Sequence, residues 1–121
     1  MKIYISGPIT GRRPDKVREA FEAAAEAIRA KGHEPVNPVM SQEILDPKTT
    51  TWDQYMKLSL VLVEISDGIC MLNGWRTSTG ATLELAHAIN HRKYVFYGTK
   101  EIWAPVPDHE RKGAAEDGQQ P

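Results

Sequence analysis

The amino-acid sequence predicts an α/β fold: one domain built on a parallel sheet with flanking helices. Three observations carry that expectation. Short β-branched and aromatic runs alternate with segments of helical periodicity. The strand-like runs are apolar throughout, as in strands covered on both faces. Their order, strand and helix in turn, implies parallel pairing through right-handed crossovers.

Ile3-Tyr4-Ile5 is the first strand, closed by the turn Ser6-Gly7-Pro8. Val17, Phe21, Ala24 and Ile28 then recur at helical spacing, and Gly32 stands where a C-terminal cap belongs. His33 to Asn37 returns as a second strand and Pro38 stops it. Val39 to Thr50 reads as loop or irregular turns. Thr51-Trp52-Asp53-Gln54 fits a capping box, opening a helix to about Ile65. On that helix Trp52, Tyr55, Met56, Leu62 and Val63 share a face, read as core or subunit interface. Ile69 to Leu72 is the third strand, Asn73 to Thr79 a polar loop, Gly80 to about Arg92 the third long helix, and Tyr94 to Tyr97 the fourth strand. The sum is a single-domain Rossmann-like (flavodoxin-like) sheet over residues 1–103, with a polar tail over 104–121 that contains three prolines and is expected to fray.

Composition narrows the partners. The chain has 121 residues, 40% of them hydrophobic and 26% charged, enough for one core without disulfide staples. Fifteen Lys and Arg against sixteen Asp and Glu give a net charge of −1, and no basic run exceeds Arg12-Arg13. Nucleic acid is therefore not expected as a partner. Cys70 is the only cysteine and lies in an apolar run, which fits a reducing compartment and a core role. With no basic-then-apolar leader and no run of membrane-spanning length, the expectation is a cytoplasmic protein with no membrane contact.

In an open parallel sheet, ligands bind beyond the carboxyl ends of the strands. Two loops leave that edge. Ser6 to Arg13 offers glycine amides at Gly7 and Gly11, a helix N-terminus that favours an anion, and Arg12 and Arg13 to pair with a phosphate. A turn with two solvated arginines explains the same residues equally well. The second loop ends in Ser78-Thr79-Gly80-Ala81-Thr82-Leu83-Glu84, where Ser78 or Thr79 can cap the helix. Glu84 lies near the start of that helix, where the macrodipole helps keep a carboxylate ionised; on position alone a dipole-compensating surface residue is the better explanation. Trp75 serves either to stack on a nucleobase or to anchor its loop on the sheet edge. Glu84, His87 and His91 share a helix face, but the sequence identifies neither the further ligands nor the ordered second shell a metal site needs, and no metal is expected. Asp67 reads as a strand-start residue that satisfies nearby backbone amides.

Together, Ile3-Tyr4-Ile5-Ser6-Gly7-Pro8, the strand Asp67-Gly68-Ile69-Cys70-Met71-Leu72 and Ser78-x-Gly80-x-x-x-Glu84 resemble the nucleoside 2-deoxyribosyltransferase family and its deoxynucleoside-monophosphate N-glycosidase relatives. The resemblance covers about residues 1–97. It implies Glu84 as catalytic nucleophile, Ser78 as a phosphate-holding serine, and Gly7, Gly11 and Arg13 in a phosphate- and sugar-facing loop. It puts Tyr4 near the site, and it implies a nucleotide or nucleoside ligand, no metal or organic cofactor, and a homodimer or higher homo-oligomer. At one position the chain departs from the family. The family's second-helix aspartate falls on Ser59, which hydrogen-bonds but is no carboxylic acid. The resemblance therefore leaves two functions: a nucleotide N-glycosidase or deoxyribosyltransferase, and a nucleotide-binding module weakened or silenced by Ser59. A third, a structural or interaction protein, keeps the scaffold alone.

Overall fold

The computed structural model describes residues 1–104, and the proposed tail falls outside them from residue 105 onward. Four strands, β1 (Lys2–Ser6), β2 (Glu34–Val36), β3 (Gly68–Met71) and β4 (Tyr94–Tyr97), form one all-parallel sheet in the order β2-β1-β3-β4. Helices α1 (Pro14–Ala30), α3 (Trp52–Ile65) and α4 (Thr79–Asn90) connect them. The flavodoxin-like parallel sheet expected from the sequence is the one observed.

Local chemistry sets the helix ends. Pro14 takes the first position of α1, where its missing N–H costs nothing. Gly32 adopts φ +84°, and the amides of Gly32 and His33 bond back to the carbonyls of Arg29 and Ile28, the paired bonds of a Schellman stop. Thr51 and Gln54 form the reciprocal capping box at α3. Asp67 accepts from the Lys2 amide at 2.8 Å, the role expected of it.

One segment differs from its sequence reading. Residues 38–50, expected as loop, contain a short helix α2 (Pro38–Ser41) and a 3₁₀ turn (Gln42–Ile44). Asn37 caps α2 by accepting from the Val39 amide, and Pro38 supplies its first residue. A turn this short leaves no helical periodicity to detect.

The pleat of β1 divides the interior. Ile3 and Ile5 point to one face, where they pack with Val17, Phe21, Ala25 and Ile28 of α1 and with Cys70 and Phe96. Tyr4 points to the other, with Val63 of α3, Ile69 and Met71 of β3, and Leu85 and Ala88 of α4. Full burial of each large apolar side chain contributes roughly 1.5–3 kcal/mol. Cys70 belongs to this core, and burial pushes its thiol up to about 11, so it stays protonated and inert. Among the described residues, no helix is long and apolar enough to cross a membrane.

Candidate active site

Strand order reverses at β1, whose neighbours β2 and β3 lie on opposite sides, and the crevice of such a sheet opens beyond that point. A cavity of about 680 Å³ lies there. Its walls come from the loop after β1 (Gly7, Thr10), the segment after β2 (Gln42, Leu45), one face of α3 (Trp52, Tyr55, Met56, Ser59) and the start of α4 (Ser78, Gly80, Glu84). Trp52, Tyr55 and Met56 thus line a cavity rather than fill the core; Trp52 is 42% exposed.

Glu84 is buried in the second turn of α4 and is held by β1. Tyr4 Oη donates to its Oε2 at 2.8 Å and Ser6 Oγ donates to its Oε1 at 2.6 Å. Residues 4 and 6 of a strand share a face, so the pleat itself aims both hydroxyls at one carboxylate. Burial raises the Glu84 carboxyl above its ordinary value, while the hydroxyls of Ser6, Tyr4 and Ser59 pull it back toward ionisation. The Tyr4 hydroxyl is pushed well above the usual tyrosine range by burial and by the adjacent carboxylate, so it remains a donor. A buried carboxylate with fixed donors on both oxygens and one side toward a cavity is equipped as a nucleophile or as a fixed negative charge.

Ser59 is buried on α3, facing inward as its spacing predicts, and accepts a hydrogen bond from Gln42 Nε2 at 3.1 Å. The pair at this position is neutral. Ser78 caps α4 by accepting from the Ala81 amide at 3.1 Å, and its own O–H remains available to donate. Gly7 and Gly80 are needed for close approach. A Cβ on Gly7 would stand 3.0 Å from Leu72 Cβ, and one on Gly80 would stand 3.3 Å from Met56 Sδ.

The remaining residues singled out from the sequence lie elsewhere. Arg13 precedes α1 and pairs with Asp15 at 2.9 Å, both side chains exposed. Gly11 sits in the turn before it with φ +76° and is not part of the cavity wall. Arg12, rather than Arg13, faces a smaller adjoining pocket of about 380 Å³ that shares Thr10, Trp52, Ser78 and Gly80 with the main cavity. Its guanidinium donates to Thr77 at 3.4 Å. Trp75 stands outside the cavity: its ring lies 5.8 Å from that of Tyr97 and packs on the core beneath α4, with the Arg76 guanidinium 4.8 Å above it. That is the loop-anchor arrangement. Ser6 and Gln42 were not singled out. The signal for Ser6 is its two-residue spacing from Tyr4; Gln42 lies in a segment without periodicity.

Residues 1–97 match a family model described as a domain of unknown function, DUF4406. No curated protein matches the chain by sequence. Among solved structures, the fold is similar to the CMP N-glycosidase BcmB of Clostridium botulinum, at TM-score 0.52 and 17% identity over 78% of this chain and 66% of that one. It is also similar to a 2-deoxyribosyltransferase from Leishmania mexicana, at TM-score 0.58 and 19% identity over 78% of this chain and 61% of that one. The chain thus spans less than two thirds of either protein's length. Both likenesses bear out the nucleoside 2-deoxyribosyltransferase-like fold read from the three sequence motifs.

Proposed function

We propose that this chain, which belongs to the DUF4406 family, binds a nucleoside 5′-monophosphate and breaks its N-glycosidic bond with Glu84 as nucleophile. The observation that carries the reading is the Glu84 carboxylate, gripped by Tyr4 and Ser6 at the wall of a cavity large enough for a nucleotide. The names of the two structural neighbours, a CMP N-glycosidase and a 2-deoxyribosyltransferase, support the same bond as target.

In the first step a Glu84 oxygen attacks the anomeric carbon. The C–N bond breaks with its electron pair going to the base, which takes a proton from water, and a glycosyl ester remains on Glu84. In the second step water, or a second base, attacks the same carbon and frees the carboxylate. The hydrogen bonds from Tyr4 and Ser6 oppose the upward push of burial on the Glu84 carboxyl and aim it. The phosphate sits at Arg12, Thr77 and the Ser78 hydroxyl, in the pocket adjoining the cavity. No step requires a metal or organic cofactor. The protein acts as a homodimer or larger homo-oligomer, a reading supported by exposed apolar side chains on α3 and α4, Val61, Ile65, Leu83 and Ile89. Residues 1–103 make up the catalytic domain.

One observation favours a second reading, a nucleotide-binding module without turnover. The neutral Ser59–Gln42 pair occupies the place where the resemblance calls for a carboxylic acid. Incubation with a panel of nucleosides and their 5′-monophosphates separates the two. Chromatography detects free base and calorimetry detects binding. Base release supports the enzyme, binding without release supports the module, and the absence of both overturns the two readings together.

A further inference from the structure

Away from the cavity, α3 and α4 bring together a second group of side chains. Glu64 is in the last turn of α3, while His87 and His91 lie four residues apart at the end of α4, on one helix face. His87 Nε2 is 2.7 Å from Glu64 Oε2, and the two imidazole rings lie 4.3 Å apart between centroids. One ligand atom from each of the three lies within 4.8 Å of the others.

We propose that Glu64, His87 and His91 form a surface site for one divalent transition metal of the zinc class. Two imidazoles and a carboxylate are a donor set such ions accept, with a fourth position left for water. Lys93, the nearby cation, donates to the Glu64 main-chain oxygen at 2.7 Å rather than to the carboxylate. Ligand atoms around zinc stand roughly 3.3–3.5 Å apart, which follows from bond lengths near 2.0–2.1 Å. To reach that spacing the Glu64–His87 pair, at 2.7 Å, has to part slightly and the exposed His91 has to turn toward it. An interhelical hydrogen bond accounts for Glu64 and His87 but not for His91, whose ring makes no hydrogen bond among the described residues. The site differs from the Glu84, His87 and His91 grouping visible in the sequence, because Glu84 turns to Tyr4 and Ser6 and Glu64 comes across from α3. Occupied, it ties the end of α3 to the end of α4, the helices whose Ser59 and Glu84 face the cavity. The proposal is independent of the glycosidase reading.

The test is calorimetric titration of the chelator-treated full chain with zinc chloride near neutral pH, with magnesium chloride as control. Parallel melting curves are recorded with and without zinc. The parent should bind about one equivalent of zinc and melt at higher temperature with it. His91→Ala and Glu64→Gln, both at exposed positions, should each weaken zinc binding by at least about tenfold, a difference of about 1.4 kcal/mol, and lose the melting shift. Absence of saturable binding by the parent overturns the proposal. So does a loss of less than about tenfold in both variants, which puts any zinc elsewhere.

Discussion

Replacing Tyr4 by Phe removes a single oxygen from a fully buried side chain and leaves its packing intact, so what changes is the donor to Glu84 Oε2 at 2.8 Å. A hydrogen bond to a charged group is worth about 1.5–3 kcal/mol. At roughly 4 °C per kcal/mol for a domain of this size, the melting temperature should fall by roughly 6–12 °C at neutral pH. The pH dependence has a definite sign. The folded Glu84 carboxyl lies above its ordinary value, so this group withdraws stability as pH rises through the interval between the unfolded and folded values. Loss of the Tyr4 donor moves the folded value further up. The deficit of Tyr4→Phe relative to the parent is therefore smallest in acid, where Glu84 is protonated in both states, and grows toward neutrality. The acidic limb of any pH–rate profile moves upward for the same reason. Melting curves across an acid-to-neutral series measure the first effect and initial rates the second. A variant with the parent's melting temperature at every pH refutes the assignment of Tyr4 as the group that holds Glu84.

Ser59→Asp should increase base release by about 10²–10⁴-fold, the usual range for acid–base assistance, with little change in binding. It should also lower the melting temperature, since a buried carboxylate is costly and Gln42 offers it one amide; folding is checked first by circular dichroism. A 5′-monophosphate should bind more tightly than its nucleoside, and Arg12→Ala should remove roughly ten- to a hundredfold of that affinity while Arg13→Ala leaves it unchanged. Equal losses from both, read by calorimetry at low salt, contradict the placement of the phosphate. Light scattering should report at least twice the 13.5 kDa chain mass at micromolar concentration; a monomer refutes the oligomer.

The fold was legible because its signals are local. The apolar runs at Ile3 and Tyr94, the periodicity from Val17 to Ile28, and the Thr51–Gln54 box each act within a few residues, and each of these elements appears within three residues of its expected bounds. The site was legible where local structure dictates it. Ser78 follows from its capping position, whereas Glu84 was marked only by the Ser78-x-Gly80-x-x-x-Glu84 signature, since position alone favours a surface residue. Which of two adjacent arginines faces the smaller pocket was not legible, because that depends on the path of the loop through Gly11 rather than on residue type. Gln42 was hidden for a similar reason: its contact with Ser59 spans seventeen residues and arises from the short turns after β2. Glu64 meets His87 only once α3 and α4 have packed.

The central claim is that Glu84 is the nucleophile, and Glu84→Gln tests it most directly. Glutamine keeps the size, but its single amide oxygen can accept from only one of Tyr4 and Ser6, and it carries no charge to attack the anomeric carbon. Parent and variant are incubated with the 5′-monophosphate that binds best, free base is followed by chromatography, and affinity is measured by calorimetry on the same samples. The account predicts nucleotide binding by both proteins and base release by the parent alone, with a glycosyl adduct on Glu84 detectable by mass spectrometry of the rapidly quenched parent. Base release by Glu84→Gln at the parent's rate contradicts it.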